Sequence, residues 1–176
     1  MNAPTRSIPV SKRIQALFAV VAAAALVGGA SDASAGKKNA DQQADPFTSY
    51  AVPPPDCTSP VGICTMGTLT GTLAGSYYFV MDSLAPDPNM PWRFLYTGHS
   101  VITDGHGHHM YGADTGEMYP SLDPTQPSPF VTTVHVVDGD HEYSNVHGQV
   151  VATGALTFAT GLAAGTYVTN LWHGND

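Results

Sequence analysis

The sequence predicts an all-β chain: a single small antiparallel β-barrel of about eight strands, preceded by a signal peptide and a disordered Pro-rich linker. Three observations predict it. After residue 63, β-branched and aromatic residues gather in short runs; Gly, Pro, Asp and Asn separate these runs; and no stretch beyond residue 35 sustains helical periodicity. Strands of this kind must hide their edges, and closure into a barrel does so more completely than an open sheet. A two-sheet sandwich is the main structural rival.

Residues 1–35 read as an export signal. Arg6, Lys12 and Arg13 precede an uncharged run over 14–27, and Ala33-Ser34-Ala35 offers the small residues that a signal peptidase accepts. That run falls short of the roughly 20 residues a bilayer-spanning helix needs, so no membrane span is expected in the mature form. With no Arg pair before the run and no Cys just after it, general secretion to an extracellular or periplasmic location is the expectation.

Residues 36–63 are polar, carry Gln42-Gln43 and include Pro53-Pro54-Pro55, a composition expected of a flexible linker that stiffens at the prolines. Cys57 and Cys64 are the only two cysteines. In an oxidising compartment they are expected to pair, since Pro60 and Gly62 between them let the chain turn back on itself.

The barrel domain is expected over 64–173, with strands at 66–70, 74–84, 92–103, 108–118, 130–138, 149–158 and 165–172. Gly71 and Gly75 suggest that the first two runs are one long strand broken by a bend. Asp104-Gly105-His106-Gly107 is the sharpest local signal, because its glycines supply the positive φ of a tight hairpin. Thr160-Gly161 is a softer second turn. Along 74–84, Tyr77, Phe79 and Met81 alternate with Tyr78, Val80 and Asp82, so both faces carry bulk. One face must pack inside, and the other is compatible with oligomer contacts in a homodimer or homotrimer.

The net charge of −8 narrows the partners. Beyond residue 35 the basic residues are Lys37, Lys38 and Arg93, so the surface repels phosphate backbones and anionic headgroups. No nucleic-acid partner is expected. No Gly-x-Ser-x-Gly elbow, phosphate-binding loop or His-Glu-x-x-His pair is present, which removes the commoner hydrolase, nucleotide and zinc-protease readings and implies no cofactor.

Several stretches resemble a known group. These are Gly67-Thr68-Leu69-Thr70-Gly71, Tyr77-Tyr78-Phe79, Tyr96-Thr97-Gly98, Gly112-Ala113-Asp114-Thr115-Gly116 and, later, Gly154-Ala155-Leu156-Thr157-Phe158. In order and spacing they resemble secreted bacterial relatives of the allene oxide cyclase and dirigent-like superfamily of calycin-like barrels. The resemblance covers roughly 64–172 and rests on glycine and strand spacing. It implies an eight-stranded barrel whose interior can hold a small apolar molecule, with cyclisation or coupling of a reactive intermediate in some members. Here seven strands are legible, and Asp138-Gly139-Asp140-His141-Glu142-Tyr143 is more charged than that superfamily's usual turn, so no catalytic residue is carried over.

The chemistry-bearing residues form three sets. Tyr77, Phe79, Phe94, Tyr96 and Tyr111 are candidates to line a lumen that binds a small apolar molecule. Asp114, Glu117 and His99 are candidate proton-transfer groups, Asp114 and Glu117 because a carboxyl buried against aromatic rings would hold its proton to high pH. His106 and His108, two apart near the hairpin, are candidate ligands for Zn²⁺ or another borderline metal. Against these stand plainer roles: a strand-ending turn at Asp114, a solvated hairpin tip, an Arg93 ion pair with Asp82 or Asp87, and a barrel filled by its own side chains as a structural module. A lumen cavity of at least roughly 300 Å³ would favour binding, and a solid interior would eliminate it.

Overall fold

A period of two in side-chain direction organises this chain, and in a computed structural model describing residues 43–174 it closes eight strands into a ring. The strands are β1 (Asp45–Ala51), β2 (Cys64–Leu69), β3 (Gly75–Asp87), β4 (Met90–Asp104), β5 (His109–Met118), β6 (Ser128–Gly139), β7 (Val146–Thr157) and β8 (Leu162–His173). Each pairs antiparallel with its sequence neighbour, and β1 pairs with both β2 and β8, so no strand edge is left open. The expected leader at 1–35 and the start of the linker lie outside the described residues.

The seven expected runs correspond to β2 through β8, and two expectations are corrected. The linker assigned to 36–63 contains a strand: β1 supplies the eighth member of the ring. Its inward residues are Asp45, Phe47 and Ser49, of which only Phe47 is apolar, so composition alone reads the segment as polar coil. Nor do Gly71 and Gly75 bend one long strand. Residues 70–74 reverse the chain, and β2 and β3 lie antiparallel with Leu69 opposite Gly75. The buried Asp45 carboxylate accepts the Thr72 amide at 2.7 Å, so a residue of the neighbouring strand β1 holds this reversal.

The hairpin at Asp104 forms as expected, with Gly107 at φ +85° and its amide donating to the Asp104 carbonyl at 3.2 Å. At the same end of the barrel, Phe47, Leu69, Leu73, Ile102, Met110, Val146 and Tyr167 form one buried cluster. Tyr167 is 1% exposed; its hydroxyl accepts the Leu73 amide at 2.9 Å and donates to the Thr70 carbonyl at 2.7 Å. Towards the other end a second cluster gathers Met81, Tyr96, Met118, Leu156 and Ala163.

The two bulky faces of β3 have separate destinations. Tyr77, Phe79 and Met81 face the lumen. Val80 and Tyr78 face outward and pack with Val52, Cys57 and Cys64, so the segment after β1 folds over the outer wall instead of trailing from it. The Cys57–Cys64 disulfide closes this segment, and the Tyr78 hydroxyl donates to the Asp56 carbonyl at 2.9 Å. Among the described residues no helix is long and apolar enough to cross a membrane.

Candidate functional site

Inward positions of all eight strands meet around a cavity of about 100 Å³. That is smaller than the roughly 300 Å³ expected of a drug-sized site, and the lumen is not solid either. It is also somewhat below the roughly 150 Å³ at which an apolar protein cavity takes up a single aromatic ring, so an occupant must be small. Much of the wall is aromatic. Phe47 stands edge-on to Tyr77 at 6.2 Å between ring centroids and tilts against Phe130 at 6.3 Å, while Phe79 meets Tyr96 edge-on at 6.1 Å. Ile63, from the segment that the disulfide closes, also reaches the wall.

The wall carries one acidic side chain, Asp114, which is 3% exposed. Register sets it opposite Gly98 on β4, and Ser100, two positions along β4, faces the lumen beside it. Desolvation raises the Asp114 pKa from its ordinary 3.8 to about 7; Ser100 and His99 favour the ionised form, and Asp82 opposes it. Ser100 Oγ and Asp114 Oδ2 are both buried and stop short of hydrogen-bond geometry with any protein group among the described residues. Two polar atoms in an apolar wall are thereby left available to an occupant.

The tyrosines around this pair keep their protons. Burial pushes Tyr96 up to about 12, eased by Thr132 and reinforced by the Asp114 and Glu117 charges, and its hydroxyl donates to the Val131 carbonyl at 3.3 Å. Burial likewise raises Tyr77, against hydrogen bonds with Ser49 and Thr65. Gly116 makes room for the Tyr96 ring, because a Cβ there would lie 2.3 Å from the ring carbon Cζ.

Of the five aromatics expected in the lumen, Tyr77, Phe79 and Tyr96 line the cavity. Phe94 shares the parity of Tyr96 but sits half-buried near the β4 start, away from the cavity wall. Tyr111 lies outside: the inward residues of β5 are Met110, Gly112 and Asp114, so the intervening Tyr111 projects outward and stacks on His109. The wall residues that the sequence reading passed over include Phe47, hidden in the supposed linker, and Ser100, Phe130 and Thr132. Ser100 was in reach of a count by twos from Tyr96, which also marks Gly98 and Ile102 as inward.

The proton-transfer candidates do not converge. His99 is outward and exposed, with Nδ1 3.1 Å from both Asp82 oxygens. Glu117 accepts a hydrogen bond from Arg93 Nη1 at 2.8 Å and another from the Tyr119 hydroxyl at 3.1 Å. Arg93 also pairs with Asp87, one of its two expected partners. Asp114 alone of the three faces the cavity. At the hairpin, His108 approaches Asp104 and Glu142, whereas His106 contacts the His108 ring at 5.8 Å and stands outside that group of three.

The fold and site together define an eight-stranded, up-and-down antiparallel barrel with a largely apolar lumen and one carboxyl, Asp114, in the cavity wall. Comparison with family models, curated proteins and solved structures finds no match.

Proposed function

We propose that this is a secreted barrel that binds a small, mostly apolar molecule in its lumen and fixes the molecule's polar end at Asp114 and Ser100. The observation that carries the reading is the buried Ser100–Asp114 pair in the wall of an otherwise largely apolar cavity: Ser100 eases the Asp114 carboxylate, yet neither Ser100 Oγ nor Asp114 Oδ2 closes a hydrogen bond of good geometry. Burying such atoms with their hydrogen-bonding capacity only partly used costs free energy that a hydroxyl, amide or amine of an occupant would recover. The cavity's size limits an occupant to a slim chain or at most one small ring. The disulfide fits an oxidising compartment, in keeping with export.

Native mass spectrometry of protein recovered from its own culture medium, together with thermal shifts against a panel of phenols, benzyl alcohols and short-chain alcohols, tests this reading. We expect a bound small molecule or a saturable shift that Asp114→Asn weakens about tenfold or more, the scale of one hydrogen bond to a charged or buried group. A chain that carries no adduct and is shifted by no compound in the panel is a side-chain-filled structural barrel instead.

A second reading has a specific observation in its favour. A carboxyl poised at about 7 inside a lumen is suited to give and take a proton, as an allene oxide cyclase-like or dirigent-like enzyme would require when guiding a reactive intermediate. In that reading Asp114 is the proton-transfer group, His99 on the outer wall influences it only through charge, and Glu117 is engaged with Arg93.

A further inference from the structure

We propose that Asp104, His108 and Glu142 form a binding site for one Zn²⁺ ion at the barrel end that carries the β4–β5 hairpin. The site is independent of the lumen reading, because none of the three lines the cavity. Their ligand atoms all lie within 4.8 Å of one another, with His108 Nδ1 3.3 Å from Asp104 Oδ2 and 3.5 Å from Glu142 Oε1. Ligands at ~2.1 Å in a tetrahedral arrangement stand about 3.4 Å apart, so these two distances already match the edges of a zinc polyhedron.

The group is held in place by its surroundings. Asp104 Oδ1 accepts the amides of His106 at 2.8 Å and His108 at 2.9 Å, which fixes the carboxylate and leaves Oδ2 for the cluster. Glu142 comes from a different part of the chain, the 3₁₀ turn His141–Tyr143 between β6 and β7. That turn is tied to the start of β5: Asp140 accepts the His109 amide at 2.6 Å and contacts its ring nitrogen at 2.9 Å, while the Asp140 amide donates to the His109 carbonyl at 2.9 Å. His141 opens the turn at φ +47°, an unfavourable value for a residue with a side chain, and its ring lies 4.6 Å from that of His108.

The alternative is an imidazolium paired with two carboxylates, and the geometry is poor for it. His108 Nδ1 is shielded from solvent and closes no hydrogen bond among the described residues, despite two carboxylates within 3.5 Å. A lone pair on that nitrogen directed at a cation accounts for the missing bond. It also accounts for two carboxylates drawn to one imidazole nitrogen, since a divalent ion cancels the charge of both. One nitrogen and two oxygens suit Zn²⁺, and three protein ligands leave coordination positions open to water.

Calorimetric titration of the full chain with ZnCl₂ after dialysis against chelator tests the proposal. The expected result is one Zn²⁺ per chain and a raised melting temperature, with affinity at least tenfold weaker in His108→Ala and in Glu142→Gln and unchanged in His135→Ala. Glu142 is exposed, so Glu142→Gln keeps the fold and decides the matter if His108→Ala does not fold. No saturable Zn²⁺ binding by the folded chain, or binding that Glu142→Gln leaves as tight as before, overturns it.

Discussion

Asp114 on β5 and Ser100 on β4 stand diagonally across one ladder, both facing the lumen and both all but excluded from solvent. Their positions follow from strand parity, and their isolation follows from the apolar side chains that surround them. The burial of Asp114 makes the stability of the barrel depend on pH.

The unfolded chain releases the Asp114 proton near 3.8, while the folded chain holds it to about 7. Between those values the native state binds more protons, so the contribution of Asp114 to stability falls as pH rises through this window and is level above it. Asp114→Asn stays neutral throughout. Chemical denaturation should find the variant more stable than the parent at pH 8, by on the order of 3 kcal/mol, with the gap closing towards pH 4. Parallel curves across that range would mean that Asp114 titrates normally.

Gly116 and Tyr96 face each other across the same ladder, and a methyl group at Gly116 would also come within 2.5 Å of the Val131 carbonyl. Neither the buried ring nor the strand backbone can yield cheaply. Gly116→Ala should destabilise the barrel by about 1–3 kcal/mol through overpacking and should diminish the cavity's uptake of any probe. Urea melts of the two proteins measure the first effect; an unchanged midpoint would show that Tyr96 relocates freely.

Tyr167 serves a reversal of the chain that it reaches only through space, accepting from Leu73 and donating to Thr70. Tyr167→Phe keeps the ring and leaves a buried amide without its acceptor. A loss of about 1–3 kcal/mol is expected, together with faster hydrogen exchange at the Leu73 amide. Wild-type protection at that amide in the variant would contradict the assignment.

The disulfide spans a sequence separation of 7, and its segment covers Val80 on the outer wall. Closing so short a loop restricts the unfolded chain by about 2–3 kcal/mol in the chain-entropy account. Cys57→Ser/Cys64→Ser should lose about that amount while keeping the β-sheet circular dichroism of the parent, because the ring of strands closes through β1 and β8 without it. Collapse to a coil spectrum would show that the segment is required for closure.

The residues whose information is local were legible. Asp104-Gly105-His106-Gly107 favours a hairpin through its own glycines, the β-branched runs mark seven strands, and the two cysteines lie near enough in sequence to pair. β1 was not legible because its single inward aromatic, Phe47, gains its meaning only when β2 and β8 flank it. Parity showed the same limit: alternation identified two faces on β3, and nothing within the strand said that Tyr77 rather than Tyr78 points inward.

By itself, then, the amino-acid order determined an all-β chain with its turns, its bulky strands and its crosslink, since each depends on backbone preferences and on neighbours a few residues away. Only the tertiary structure decided which face became lumen, that Asp114 would be desolvated while His99 and Glu117 stayed on the outer wall, and that Glu142 would meet His108. Burial and long-range contact are properties of the closed ring, and they arise when β8 returns to β1.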